Sequence, residues 1–198
     1  MAADDRPRWN HNLHLHPLVM SAVPAGACSA LDVGTGNGLL AAQLRTAVPE
    51  VVAIDIDAPV LETAKASLPD IDWVHGDAMT YDFGRTFDIV ASVATVHHLP
   101  DLGAALRRFA ELTSPGGAVV VVGLARDASV GDRILSAVGA VQHWWLSRTR
   151  TVWEHSAPTV WPPPHTYREV RRIAAESLPG VRWRRSPLWR YALVWRKP

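Results

Sequence analysis

Three features of the sequence predict an α/β fold on a seven-stranded, mostly parallel sheet, with helices on both faces and an antiparallel hairpin at the C-terminus. Short apolar runs alternate with segments of helical periodicity over residues 30–124. Those runs are continuously apolar, as strands covered on both faces are. Two strand-like runs, VRWRR and LWRYALVWRK, then close the chain. Only Ser186-Pro187 separates them, which leaves no room for a helical crossover, so they pair antiparallel.

The elements follow in order. Residues 30–33 form a short buried strand, and residues 39–46 a helix with Leu40, Leu44 and Val48 on one face. EVVAIDID is the second strand. Asp57 caps the next helix, which tolerates Pro59 in its first turn and runs to about Leu68. IDWVHGD is a third strand ending in a turn, and FDIVASVA a fourth. Asp101 caps a helix through Thr113, with Leu102, Leu106 and Phe109 at helical spacing. SPGG reads as a turn and AVVVVGL as a fully apolar fifth strand. The crossovers are expected to be right-handed. The rhythm breaks over residues 125–164, where a helix near 130–146 precedes the Pro- and Trp-rich run APTVWPPP; a long excursion of this kind is often functional. TYRE, residues 166–169, has the form of a capping box and opens a helix toward Ser177. The organisation expected is a single domain: an N-terminal cap segment (1–29), a ligand-binding core (30–124), a variable lid (125–164) and a final helix with its hairpin (165–198).

Composition narrows the classes. No apolar run is long enough to span a bilayer, and MAADDRPRWN lacks the basic-then-apolar order of a signal peptide. Cys28 is the only cysteine, so neither an internal disulfide nor a cysteine-rich zinc site can form. These features fit a cytoplasmic protein with no membrane partner. The formal charge of +1 hides an asymmetry, because most carboxylates precede residue 100 while most arginines and tryptophans follow it. A basic, Trp-rich half is a composition that meets nucleic acid. Here the arginines are spread along helices and strands rather than gathered in one run, which favours a solvated face over a Trp-rich core.

LDVGTGNGLL, residues 31–40, sets a strand, a glycine loop and a helix in succession. Glycine permits a tight turn and close approach to a ligand. The dinucleotide fingerprint G-x-G-x-x-G is not met, because the third glycine, Gly38, comes one residue early. Asp32 precedes the loop, where a carboxylate repels a pyrophosphate and attracts an ammonium group. Asp55 ends the second strand about twenty residues on, where an acid binds both ribose hydroxyls. Asp77 ends the third strand; its carboxylate can accept from an adenine amino group while the Ala78 N–H donates to the ring. Three acids at successive strand ends imply a ligand with an adenosine, a cationic end and no phosphate, which S-adenosylmethionine satisfies.

LDVGTGNG, AIDID, HGDA, FDIVASVATVHHLPD and LTSPGGAVVVV occur in this order over residues 30–124, and with them the chain resembles the class I S-adenosylmethionine-dependent methyltransferases, in the small-molecule group with an HHLPD-type segment. The resemblance implies their Rossmann-like fold, methyl transfer from S-adenosylmethionine and S-adenosylhomocysteine as product. It implies that Asp32 and the loop residues Gly34, Thr35, Gly36 and Asn37 lie under the methionine part, that Asp55 holds the ribose, that Ile56 packs on the adenine and that Asp77 with Ala78 reads its edge. Ser92, on the fourth strand, belongs to the same set. The N/D-P-P-Y segment of many nitrogen methyltransferases is replaced by Val93, Ala94, Thr95 and Val96, which argues against methylation of a nucleic-acid base.

Methyl transfer from a sulfonium is an in-line displacement, so alignment and exclusion of water supply much of the rate. A base is needed only where the acceptor loses a proton. His97 and His98 follow the fourth strand and are the candidate bases, His97 foremost. His11 and His14 in RWNHNLHLHPLVM are candidate acceptor contacts, by analogy with related enzymes whose N-terminal segment folds over the cofactor. His11, His14 and His16 lack a nearby acid or cysteine, so no metal is expected. A surface helix with Leu15, Leu18 and Val19 on its apolar face is the alternative for this segment. Trp144, Trp145, Trp153 and Trp161 are candidates for an aromatic wall, with His143 and His155 adding polar contacts. The acceptor expected is a small aromatic or heterocyclic secondary metabolite, an indole-bearing one being an example. The alternatives are an RNA or protein methyltransferase that docks through the arginines, and a non-catalytic cofactor-binding partner subunit. Either a monomer or a homodimer suits the sequence.

Overall fold

A computed structural model describes residues 8–153 and 161–198. The elements run β1 (Arg8–Trp9), a 3₁₀ turn (Leu13–Leu15), α1 (His16–Ser21), β2 (Ser29–Val33), α2 (Leu39–Arg45), β3 (Glu50–Asp55), α3 (Ala58–Ser67), β4 (Asp72–His75), β5 (Phe87–Val93), a second 3₁₀ turn (Val96–His98), α4 (Leu102–Glu111), β6 (Thr113–Gly123), α5 (Val130–Thr149), β7 (Thr151–Val152), α6 (Tyr167–Ser177), β8 (Arg182–Ser186) and β9 (Arg190–Arg196). Seven strands form one sheet in the order β4-β3-β2-β5-β6-β9-β8. The pairs among β4, β3, β2, β5 and β6 are parallel; β6–β9 and β8–β9 are antiparallel. The chain order reverses at β2, whose neighbours are β3 and β5, and ligands bind at the carboxyl ends of strands beside such a switch point.

The continuous apolar strands divide their side chains between two cores. Leu31, Val33, Val90, Val119, Val121 and Leu193 face α4 and α6, which contribute Leu102, Leu106, Phe109, Val170 and Ala174. Ala30, Ala53, Ile89, Ala91, Val120 and Val122 face α1 and α2, which contribute Val19, Leu40, Ala41 and Leu44. Phe109 is fully buried in the first of these cores. Phe109→Ala is expected to destabilise the chain by about 3–5 kcal/mol, because the cavity adds to the lost transfer energy. Urea unfolding should show a lower midpoint with an unchanged slope.

The caps form as the sequence predicts. Asp57 accepts from the Val60 N–H, Asp101 from the Ala104 N–H, and Thr166 with Glu169 makes a reciprocal capping box. A second box, Ser129 with Asp132, opens α5. Two expectations are corrected. SPGG does not interrupt the chain before the fifth strand; it is taken into β6 as an irregularity, where the register shifts between Phe87 and Ile89 and Gly116 has φ 75°. The helix of the excursion runs to Thr149, beyond Leu146. The N-terminal segment matches the surface-helix alternative: Leu15, Leu18 and Val19 face the core, Val19 fully buried, while Pro17 and Ser21 are exposed. Ahead of it β1 pairs in parallel with β7, which ties the N-terminus to the end of the excursion. His155, Ala157 and Pro158 lie outside the described residues. No helix among the described residues is long and apolar enough to cross a membrane.

Candidate functional site

The site grows from the β2–α2 loop. Gly34, Gly36 and Gly38 all hold positive φ, which side chains rarely adopt. A Cβ on Gly34 would collide with the Thr95 side chain, so the loop can lie against the end of β5 only because it lacks one. Gly34 N–H donates to the Ile54 carbonyl at 2.9 Å, and Gly36 N–H to Asp55 Oδ2 at 2.8 Å. The other Asp55 oxygen accepts from the Asp57 N–H at 3.0 Å. Asp55 is thus oriented by backbone at both ends, and each oxygen keeps a lone pair for a ligand.

Asp32 sits beneath the loop and is almost wholly buried. Its Oδ2 accepts from the Thr35 hydroxyl at 2.7 Å. Desolvation outweighs that bond and holds the carboxyl up to about 7. A buried carboxylate without a cation is expensive, and a ligand ammonium would relieve it.

Asp32 and Asp55 open onto one cavity of about 290 Å³ between the glycine loop, the β5 end and the N-terminal segment. Its lining includes Asp32, Gly34, Thr35, Gly36, Asn37, Asp55 and Ile56, together with Thr95, His98, Trp153, Asn10, Asn12, Leu13 and His16. Ile56 is 73 % exposed, an apolar surface that a flat ring can cover. Asp32, Asp55 and Ile56 therefore fit a ligand with an ammonium group, vicinal hydroxyls and an aromatic base. A pyrophosphate would face two carboxylates.

Other candidates stand elsewhere. Asp77 is exposed; its Oδ1 takes the Met79 N–H at 2.9 Å, which leaves Oδ2 able to accept, and it is not among the residues lining the cavity. Ala78 packs in the core. Ser92 is fully buried and donates to the Val33 carbonyl at 3.0 Å, bracing β5 on β2. Trp144 and Trp145 point to solvent at 54 % and 58 % exposure, because the phase of α5 turns Gly139 and Leu146 inward instead. The aromatic wall of the lid is reduced to Trp153. His11 stacks on His143 at 5.0 Å between Trp9 and Trp189, and His14 meets the edge of Trp9. Neither His11 nor His14 lines the cavity.

The histidine pair divides. Their rings are 4.2 Å apart. His98 lines the cavity; His97 is buried behind it, with Nδ1 lacking a partner among the described residues. Burial pulls His97 down to about 4, aided by His98 and Arg190. Burial also lowers His98 from its ordinary value, against an opposing pull from Asp55. Both are therefore neutral at pH 7, as a proton acceptor must be. The lining residues Asn10, Asn12 and His16 were missed. Asn10 and Asn12 were hidden among the histidines of RWNHNLHLH, and only the β1–β7 pairing turns that segment over the cavity.

Comparison with known proteins agrees with this geometry. A methyltransferase domain family matches residues 31–121. An uncharacterized methyltransferase of Mycobacterium tuberculosis is 41% identical over 98% of this chain and 99% of its own length. A trans-aconitate 2-methyltransferase of Methylobacterium radiotolerans is 32% identical over 58% of this chain and 45% of its own. Among solved structures, the N-methyltransferase NodS of Bradyrhizobium japonicum shares the fold, with a TM-score of 0.65 over 94% of this chain and 96% of its own at 14% identity. With a glycine loop over a buried acid, a second acid at the next strand end and these relatives, the chain belongs to the class I S-adenosylmethionine-dependent methyltransferases.

Proposed function

We propose that the enzyme methylates a small acceptor carrying a flat, ring-bearing face, held between Trp153 and the sulfonium methyl, with His98 receiving the acceptor's proton. One observation carries this reading: His98 and Trp153 line the same cavity as Asp32, Asp55 and the glycine loop. Asp32 binds the ammonium of S-adenosylmethionine, Asp55 its ribose hydroxyls, and Ile56 covers one face of its adenine. Relatives that match about half of this chain support a small acceptor, for they include an N,N-dimethyltransferase named for a dTDP-amino sugar. Docking of RNA through arginines has less support. Arg185 turns inward to Asp127 and Asp132, Arg172 pairs with Glu176, and Arg190 bonds Asn12.

A screen of ring-bearing alcohols, amines and carboxylic acids, read by mass spectrometry for addition of one methyl group, tests the reading. Trp153→Ala should raise the acceptor KM by about 3- to 10-fold through loss of stacking, with cofactor affinity unchanged. Turnover of polar, ringless acceptors alone, or indifference to Trp153, would sink it.

Cofactor affinity should also depend on pH in a defined direction. Asp32 keeps its proton below about 7 in the free chain. Binding an ammonium requires the carboxylate, so affinity should rise about tenfold per pH unit up to that value and then level off. In Asp32→Asn the rise should vanish and binding should be weak throughout. Calorimetry in two buffers of different ionisation enthalpy should detect release of the proton at pH 6.

A further inference from the structure

Helix α5 is apolar on two opposite faces. Its inner face docks on the β8–β9 turn: Gly139 lies so close to the Pro187 carbonyl that no Cβ fits, and Leu146 is buried with Trp9 and Leu188. Its outer face is exposed. Val130 is 70 % exposed, Ile134 63 %, Val138 50 % and Val141 69 %, with Trp144 and Trp145 beside them. A helix that is apolar all round belongs in an interior, and an exposed patch of this kind marks an interaction site.

We propose that this face is the interface of a homodimer in which α5 packs antiparallel against α5 of a second copy of the chain. The stripe is symmetric about a point between Ala137 and Val138: Ile134 and Val141 lie equally far from it, as do Val130 and Trp145. A two-fold axis through that point sets Val130 opposite the second copy's Trp145 position and Ile134 opposite its Val141 position, the self-complementarity that an isologous contact requires. The exposed parts of these side chains amount to roughly 600 Å² per protomer at ordinary side-chain areas. Neighbouring helix atoms bring that toward the ~800 Å² per partner of a standard interface. Antiparallel pairing also opposes the helix dipoles.

Sedimentation velocity of the full chain at micromolar concentrations is expected to give twice the monomer mass. Val138→Glu places two like charges across the axis. It should weaken the dimer by about a hundredfold or more, with an unchanged circular dichroism spectrum and unchanged affinity for S-adenosylhomocysteine. In a Cys28→Ser background, Ala137→Cys should form an intermolecular disulfide on mild oxidation, whereas Ala140→Cys, on the flank of the stripe, should not. A monomeric wild type, a dimer that survives Val138→Glu, or cross-linking at 140 but not 137 would overturn the proposal. So would a monomer that floats with phosphatidylglycerol-containing vesicles, which would assign the face to lipid.

Discussion

Asp55→Ala is expected to weaken S-adenosylmethionine binding by about 10²- to 10⁴-fold. A carboxylate that accepts from two ribose hydroxyls makes two charge-assisted bonds of about 1.5–3 kcal/mol each, and 1.4 kcal/mol is a tenfold change. Alanine removes both. It also releases the Gly36 and Asp57 N–H groups that the carboxylate now holds at 2.8 and 3.0 Å, so the loop loses its anchor. Asp55→Asn keeps an acceptor oxygen without the charge and should fall between. Titration calorimetry reads the affinities, and thermal melting without ligand shows whether the fold survives. Affinity in Asp55→Ala within threefold of the wild type would remove Asp55 from the site.

His98→Ala is expected to lower kcat by about 10²- to 10⁴-fold for an acceptor that loses a proton, the usual worth of a positioned base. Under the proposed role, cofactor affinity should change little. The pH profile carries the sign. A base acts unprotonated, and burial lowers the His98 pKa from the ordinary histidine value of 6.5. At saturating S-adenosylmethionine, kcat/KM for the acceptor should therefore rise through an acid limb below pH 6.5 and hold a plateau across neutrality. His98→Gln preserves bulk and polarity but cannot take the proton, so it should be as slow as alanine. Recovery of rate by glutamine would make His98 a packing residue. His97→Ala should act through the position of His98, with a smaller loss of kcat and an unshifted acid limb.

Much of the fold was legible because its signals are local. Continuous valines in β6, the caps at Asp57 and Asp101, the box at Thr166 and the short gap between β8 and β9 each declare an element within a few residues. The glycine loop with Asp32 and Asp55 was legible for the same reason: the strand-loop-helix order fixes where those side chains fall. What depends on helix phase or distant pairing was not. Trp144 and Trp145 are adjacent to the inward Leu146, yet the register of α5 on the Pro187 turn sends both outward. His97 and His98 differ by one residue of a 3₁₀ turn, enough to bury one and set the other in the cavity. Asn10 and Asn12 reach the site through the pairing of β1 with β7, more than a hundred residues away, which no short stretch of sequence signals.

A crystal structure of the S-adenosylhomocysteine complex tests the central claim most directly. The account predicts the ammonium group at Asp32, the ribose on Asp55, the adenine against Ile56, and the sulfur directed at the space between His98 and Trp153. A sulfur turned away from His98 and Trp153, or a ribose not held by Asp55, would contradict it.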